Sequence, residues 1–200
     1  MKNTGHDYLG RSSGGNSLSI WTHNIQGVTV HPDSFSPKNC NVKIDGGAVT
    51  AAVGTQTIVS YGATDKYNRT IVGGYCLTVG LGGFITGGGH SPLAPHYGLA
   101  IDQVLEIEMV TPKGDIITAN ECQNQDLFWA MRGGGGGTFG VMTAVTVKTF
   151  PTPQLINLDW AITASSSDPA AWDMITYLVS QLPARRPRHL RLSSHLPRPA

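Results

Sequence analysis

A thiol and an imidazole stand in unusual company in this sequence. Cys76 lies within Gly73 to Gly89, GGYCLTVGLGGFITGGG, where eight of the seventeen residues are glycine. His6 follows Gly5 in a second glycine-bearing stretch, Gly5 to Gly15. Each glycine costs more backbone entropy to order than any other residue, so a folded chain that keeps so many together needs its backbone to come close to something. A flat or phosphorylated ligand is the usual object. Successive N–H groups in glycine turns form nests that hold a pyrophosphate without many Lys or Arg side chains, and the missing Cβ atoms let the chain lie against a planar ring. A flexible linker is the bland alternative, but such linkers are rich in serine and poor in bulky apolar groups. Val79, Leu81, Phe84 and Ile85 interrupt this ladder. Taken alone, a histidine after glycine is a turn residue and a lone cysteine a small apolar filler; the surrounding pattern is what raises both.

The elements that must position these groups follow from turn chemistry and periodicity. Short strands are expected near Ser17 to Thr22, Gly27 to Val30 and Ala48 to Val53. A helix capped by Thr55 runs to about Tyr67, and Thr70 to Val72 is an extended run that delivers the glycine ladder, itself expected to be a loop. Val104 to Val110 and Asp115 to Thr118 read as a hairpin around Pro112-Lys113-Gly114. Asp126 is expected to cap a helix over Leu127 to Arg132. Gly133 to Gly137 then lead into a long strand, Phe139 to Phe150, on the strength of its β-branched residues. Leu155 to Ile162 reads as a strand and Pro169 to Leu182 as a helix of a second domain. Ala184 to Ala200 holds five arginines and no acid, without apolar periodicity, and reads as disordered or foreign to the fold.

Composition narrows the function. Two hundred residues, 40% apolar and 14% charged, are ample for a packed core. A net charge of +1 gives no electrostatic footprint for nucleic acid, and no apolar run approaches the roughly 18 residues that span a membrane; neither partner is expected. Cys40, Cys76 and Cys122 are too widely spaced for a zinc knuckle and odd in number, so one is expected to be unpaired and no metal site is expected. The first residues lack the apolar core of a secretion signal. Asn68-Arg69-Thr70, a glycosylation sequon, is the one pointer to a secreted parent enzyme; the compartment is otherwise open. Gly135, Gly137 and Gly140 match G-x-G-x-x-G literally, but a helix precedes them and a strand follows, the reverse of what a dinucleotide fingerprint needs.

Three ordered motifs then become recognisable: Thr4-Gly5-His6; Gly74-Tyr75-Cys76-Leu77-Thr78-Val79-Gly80 with Gly87-Gly88-Gly89; and Asp126-Leu127-Phe128-Trp129-Ala130 leading into Gly133 to Val141. Together they resemble the FAD-linked oxidases of the vanillyl-alcohol-oxidase superfamily, in the berberine-bridge-enzyme-like branch with a PCMH-type FAD domain. The resemblance covers roughly residues 2 to 150. It implies an α+β fold, with a partial PCMH-type domain over 1–153 that lacks its N-terminal lobe, the start of a substrate domain over 154–183, and a tail over 184–200.

The resemblance also implies roles. His6 matches the histidine joined in many members to the flavin 8α-methyl group, and Cys76 the cysteine joined in a bicovalent subset to flavin C6. Asn3, Thr4, Gly5 and Asp7 match the pyrophosphate-binding turn. Thr78, Val79, Gly80, Gly83 and Gly88 would line ring and phosphates, with Gly140 and Val141 in a third cofactor-contacting segment. Val79 matches the place that faces the oxygen-reactive edge of the flavin, where a small side chain favours an oxidase. His90 reads as a loop histidine rather than a substrate-side residue, and Leu77 stands where proline is common. The implied activity is removal of a hydride from the CH–OH group of a small-molecule substrate, with O2 as acceptor. The catalytic base and the substrate are not implied by any residue here. A site completed by two lobes would be open to solvent, so weak or no FAD incorporation and little turnover are expected of these 200 residues alone. A non-catalytic truncated fragment and a glycine-rich β-type binding module are the alternatives.

Overall fold

A computed structural model describes residues 1–155, 165 and 168–181. The chain divides into two compact units, Met1–Thr152 and Pro153–Ala200. Along the first run β1 (Val28–His31), β2 (Ser34–Phe35), β3 (Ile44–Asp45), β4 (Ala48–Ala52), α1 (Thr57–Asp65), β5 (Arg69–Thr70), α2 (Leu81–Thr86), α3 (Ala94–Tyr97), β6 (Val104–Val110), β7 (Ile116–Asn120), α4 (Gln125–Met131), β8 (Val141–Lys148) and β9 (Phe150–Pro151). In the second unit the described residues form one helix, α5 (Pro169–Gln181), over the stretch whose periodicity predicts it. The strand expected over Leu155 to Ile162 and the tail from Ala184 lie, apart from Leu155, outside the described residues.

Five strands form one antiparallel sheet in the order β1-β4-β8-β6-β7. The β-branched run of β8 takes the centre, with Val49 opposite Val147 on one side and Ile107 opposite Val145 on the other. Side chains of a strand alternate between faces. One face of these strands supplies Val49, Ala51, Ile107, Met109, Val145 and Val147 to the core, all buried. The other carries polar pairs such as Thr50 and Thr146, whose hydroxyls lie 2.8 Å apart. Leu81 and Ile85 of α2 and Phe128 and Met131 of α4 are buried in the same core. Each of these larger side chains contributes about 1.5–3 kcal/mol by leaving water. This packing draws the glycine ladder and the Gly133 run to one side of the sheet.

Four expectations are corrected. The glycine ladder is not loop throughout, because Leu81–Thr86 is helical despite its glycines. Burial of Leu81 and Ile85 overrides weak propensity, and Gly82 is required since a Cβ there would meet the Val53 side chain. Ser17 to Thr22 is not a strand; only a single parallel bridge joins Trp21 to Lys2. Its alternating Leu18 and Ile20, and the adjoining Trp21, are exposed, so the pattern has no core to face. Thr55 does not cap α1. Its hydroxyl bonds the Gly27 carbonyl at 3.1 Å, and Gln56 occupies the cap position. Asp126 lies in the first turn of α4, while Asn124, left-handed at φ 50°, precedes the helix and donates its amide to Thr118 O at 2.7 Å.

Cys40 and Cys122 are joined in a disulfide across 82 residues of sequence, and Cys76 is the free, exposed thiol.

Candidate functional site

Helix α1 fixes the position of Cys76 through its own unsatisfied N-terminus. The first N–H groups of a helix lack partners within it, and here the ladder supplies them. Thr57 N–H donates to Val79 O and Ile58 N–H to Leu77 O, both at 3.0 Å. The Thr57 hydroxyl also donates to Val79 O at 3.0 Å, and Tyr61, one turn on, donates its phenol to Gly74 O at 3.2 Å. Leu81 N–H and Gly82 N–H donate to Thr55 O and Val53 O. Residues 74–82 are therefore laid along α1 and the chain entering it. Burial pushes the Tyr61 phenol up to about 12, against which a backbone hydrogen bond acts weakly.

His6 arrives from the other direction. Lys2 pairs with Ile20 and Thr22 through backbone hydrogen bonds of 2.9 Å. Asn3 donates its side-chain amide to Val53 O at 2.7 Å, and its other side-chain atom, Oδ1, is buried without a partner. Thr4 accepts the Gly80 N–H on its hydroxyl at 3.1 Å. Gly80 must lack a side chain, since a Cβ there would collide with Asn3 Oδ1. These bonds stitch the first segment to the ladder. Beyond them Gly5 turns with φ 84° and presents His6.

The two nucleophiles meet at one hydroxyl. Thr78 Oγ1 lies 2.8 Å from His6 Nε2 and 3.7 Å from Cys76 Sγ. Asp7, next to His6, is gripped by Arg11, whose backbone N–H, Nε and guanidinium donate to its carboxylate at 2.7, 3.0 and 2.6 Å. That side-chain bond holds the Asp7 carboxyl below the usual carboxylate range.

The third glycine segment closes the wall. Gly135 N–H donates to Thr86 O at 2.9 Å, tying the Gly133 run to the end of α2. Together the three segments border a cavity of about 1160 Å3. Of the residues expected at a site, Asn3, Thr4, Gly5, His6, Asp7, Cys76, Val79, Gly80, Gly83 and Gly140 line it. Thr78, Gly88 and Val141 do not, although the exposed Thr78 touches both nucleophiles. His90, read as a loop histidine, is on the wall. Sequence reasoning counted Gly133 to Gly140 among three glycine-bearing loops at the cofactor without naming Gly133 to Gly137 individually, and passed over Tyr8, Arg11 and Thr86 as lining residues. The run of glycines was itself the signal for the first of these; the others depend on where loops fold back. Among the described residues no cluster of His, Cys, Asp and Glu could hold a metal, and no helix is long and apolar enough to cross a membrane.

Comparison with known proteins meets this geometry. Residues 2–120 match the family described as FAD binding domain. The chain belongs to this FAD-binding-domain family. An uncharacterized FAD-linked oxidoreductase of Arthroderma benhamiae is 52% identical over 161 residues, which are 78% of this chain and 27% of that protein. The crystal structure of the VAO-type flavoprotein MtVAO615 from Myceliophthora thermophila C1 superposes with a TM-score of 0.69 at 41% identity, covering 74% of this chain and 26% of that one. A variant of berberine bridge enzyme in complex with (S)-reticuline gives 0.64 at 28% identity, covering 76% and 29%. The chain thus has the α+β, PCMH-type FAD-binding architecture and spans about a quarter of the length of these relatives.

The residues present fit a flavin dinucleotide. The cavity exceeds the roughly 300–1,000 Å3 of ordinary small-molecule pockets, as a ligand of that size requires. Glycines from three segments form much of its wall, and its two nucleophilic side chains approach from different segments.

Proposed function

We propose that His6 and Cys76 are covalent tethers of the FAD ring system, and that the enzyme to which this chain belongs oxidises the CH–OH group of a small molecule with O2 as acceptor. The observation that carries this reading is the shared Thr78 hydroxyl, which gathers an imidazole and a thiol at one point of a glycine-walled cavity. When bound, FAD supplies the electron-poor ring that accepts a hydride and to which such nucleophiles add.

The chain's own residues have separable tasks. The thiolate, not the thiol, is the nucleophilic form of cysteine. A proton leaving Cys76 Sγ can pass to Thr78 Oγ1 while the Thr78 proton moves to a neutral His6 Nε2, so the hydroxyl serves as the relay. The same contact holds the imidazole in one orientation. Asn3, Thr4, Gly5 and Asp7 form the turn for the pyrophosphate, with Arg11 fixing Asp7. Val79, half-buried on the wall, is the small side chain that leaves room for O2.

The test is retention of flavin through denaturation. The 200-residue chain is incubated with excess FAD and precipitated with acid, and flavin absorbance is read in the washed pellet. Label is expected in the wild-type chain, even at low occupancy, and none in the His6→Ala/Cys76→Ala double variant. Release of all flavin from the wild-type pellet, or equal label in the double variant, would overturn the tethering.

A further inference from the structure

We propose that Asn68 carries an N-linked glycan, an assignment independent of the flavin reading. Asn68-Arg69-Thr70 is the only Asn-x-Ser/Thr triplet in the sequence, and its middle residue is not proline. The fold places it where an acceptor must be. Asn68 sits in the turn that leaves α1, in the left-handed region at φ 53°. Its backbone N–H donates to Asp65 O at 2.9 Å and its carbonyl accepts from Thr152 N–H at 3.0 Å, so the main chain is anchored on both sides. The side chain is different. Asn68 is exposed, and its carboxamide makes no hydrogen bond among the described residues. Two residues on, the Thr70 hydroxyl has only a long 3.4 Å bond to the neighbouring Ile71 carbonyl. The turn therefore holds the backbone and offers the amide nitrogen to solvent.

A second observation supports the compartment. Cys40 and Cys122 form a disulfide, and structural disulfides persist in the secretory pathway and outside the cell, where N-glycosylation also occurs. An oxidised thiol pair and a presented carboxamide are unrelated chemistries that call for the same surroundings. Asn68 is not on the cavity wall, so a glycan there leaves the cavity open.

The transfer balances without oxidant or reductant. A bond forms between Asn68 Nδ2 and the anomeric carbon of a polyprenyl-pyrophosphate-linked oligosaccharide. The anomeric C–O bond of that donor breaks, the pyrophosphate leaves with the electron pair, and Nδ2 gives up one proton.

The full chain is produced in a eukaryotic host behind a cleavable secretion leader, and intact masses are taken from medium and cell extract together, so that retained chains count. The expected result is a glycan-sized mass increase that peptide-N-glycosidase removes, leaving aspartate at position 68. Thr70→Ser should keep the increase, whereas Asn68→Gln and Thr70→Ala should abolish it. Because mass is read on all chains, folded or not, loss of stability in a variant does not obscure the result. A single unmodified mass in the wild type, or an increase that survives Asn68→Gln, would overturn the assignment.

Discussion

At the scale of residues the molecule turns on Thr78, an exposed hydroxyl in contact with both His6 Nε2 and Cys76 Sγ. Replacing it by valine keeps shape and removes the relay. We expect Thr78→Val to lower the flavin label carried on the Cys76 peptide, read by mass after proteolysis, at least several-fold and Thr78→Ser to retain it. Stability should change by only about 0.5 kcal/mol, as for other exposed substitutions. Label unchanged in Thr78→Val would remove the relay from the account. Gly80 makes a different demand. A methyl group there meets the buried Asn3 Oδ1 and forces apart the Asn3 to Val53 hydrogen bond. Overpacking and a lost buried hydrogen bond predict a destabilisation of about 2 kcal/mol for Gly80→Ala, read from the urea midpoint.

At the scale of elements, α1 is a clamp on the ladder, and Tyr61 is the part of it that titrates. Its phenol is held neutral by burial, with the pKa moved from 10.0 to about 12. A raised phenol pKa means the fold favours the protonated form, so this contribution is whole below pH 10 and is lost as pH rises through about 12. The melting temperature of the wild type should fall across that window, and that of Tyr61→Phe should fall less. At neutral pH the same variant should cost about 1 kcal/mol through loss of the bond to Gly74 O. Parallel pH profiles for the two proteins would exclude Tyr61 as the titrating group.

At the scale of the whole molecule, two features set behaviour. The Cys40–Cys122 disulfide closes 82 residues of chain, and the loop-entropy argument assigns it about 4.5 kcal/mol. Reduction, or the Cys40→Ser/Cys122→Ser pair, should shift the urea midpoint accordingly; no shift would mean that the unfolded chain is already constrained. The second feature is exposure. Tyr8, Leu9, Leu18 and Trp21 near the first glycine segment, and Ile58, Val59, Tyr75 and Leu77 beside the second, are apolar and exposed. With the cavity open at these borders, water is not excluded from the bound ring, and peroxide production by these 200 residues alone should stay near background. Turnover at the rate of a complete oxidase would contradict this.

The glycine ladder, the β-branched run of β8 and the heptapeptide of β6 announced themselves in the sequence because their signals are local: backbone entropy, χ1 stiffness and alternation act over a few residues. The FAD-linked family and its α+β fold were legible for the same reason, through motifs that are contiguous. Tertiary structure alone decided the rest. It made a helix of Leu81–Thr86 by burying Leu81 and Ile85, and left Ser17 to Thr22 outside the sheet because its apolar alternation meets no core. It took Thr55 from the helix cap to Gly27, paired Cys40 with Cys122, and brought His6 to Thr78 across 72 residues. Each of these outcomes is a choice among long-range partners, and such choices are settled by packing and hydrogen-bond satisfaction in three dimensions.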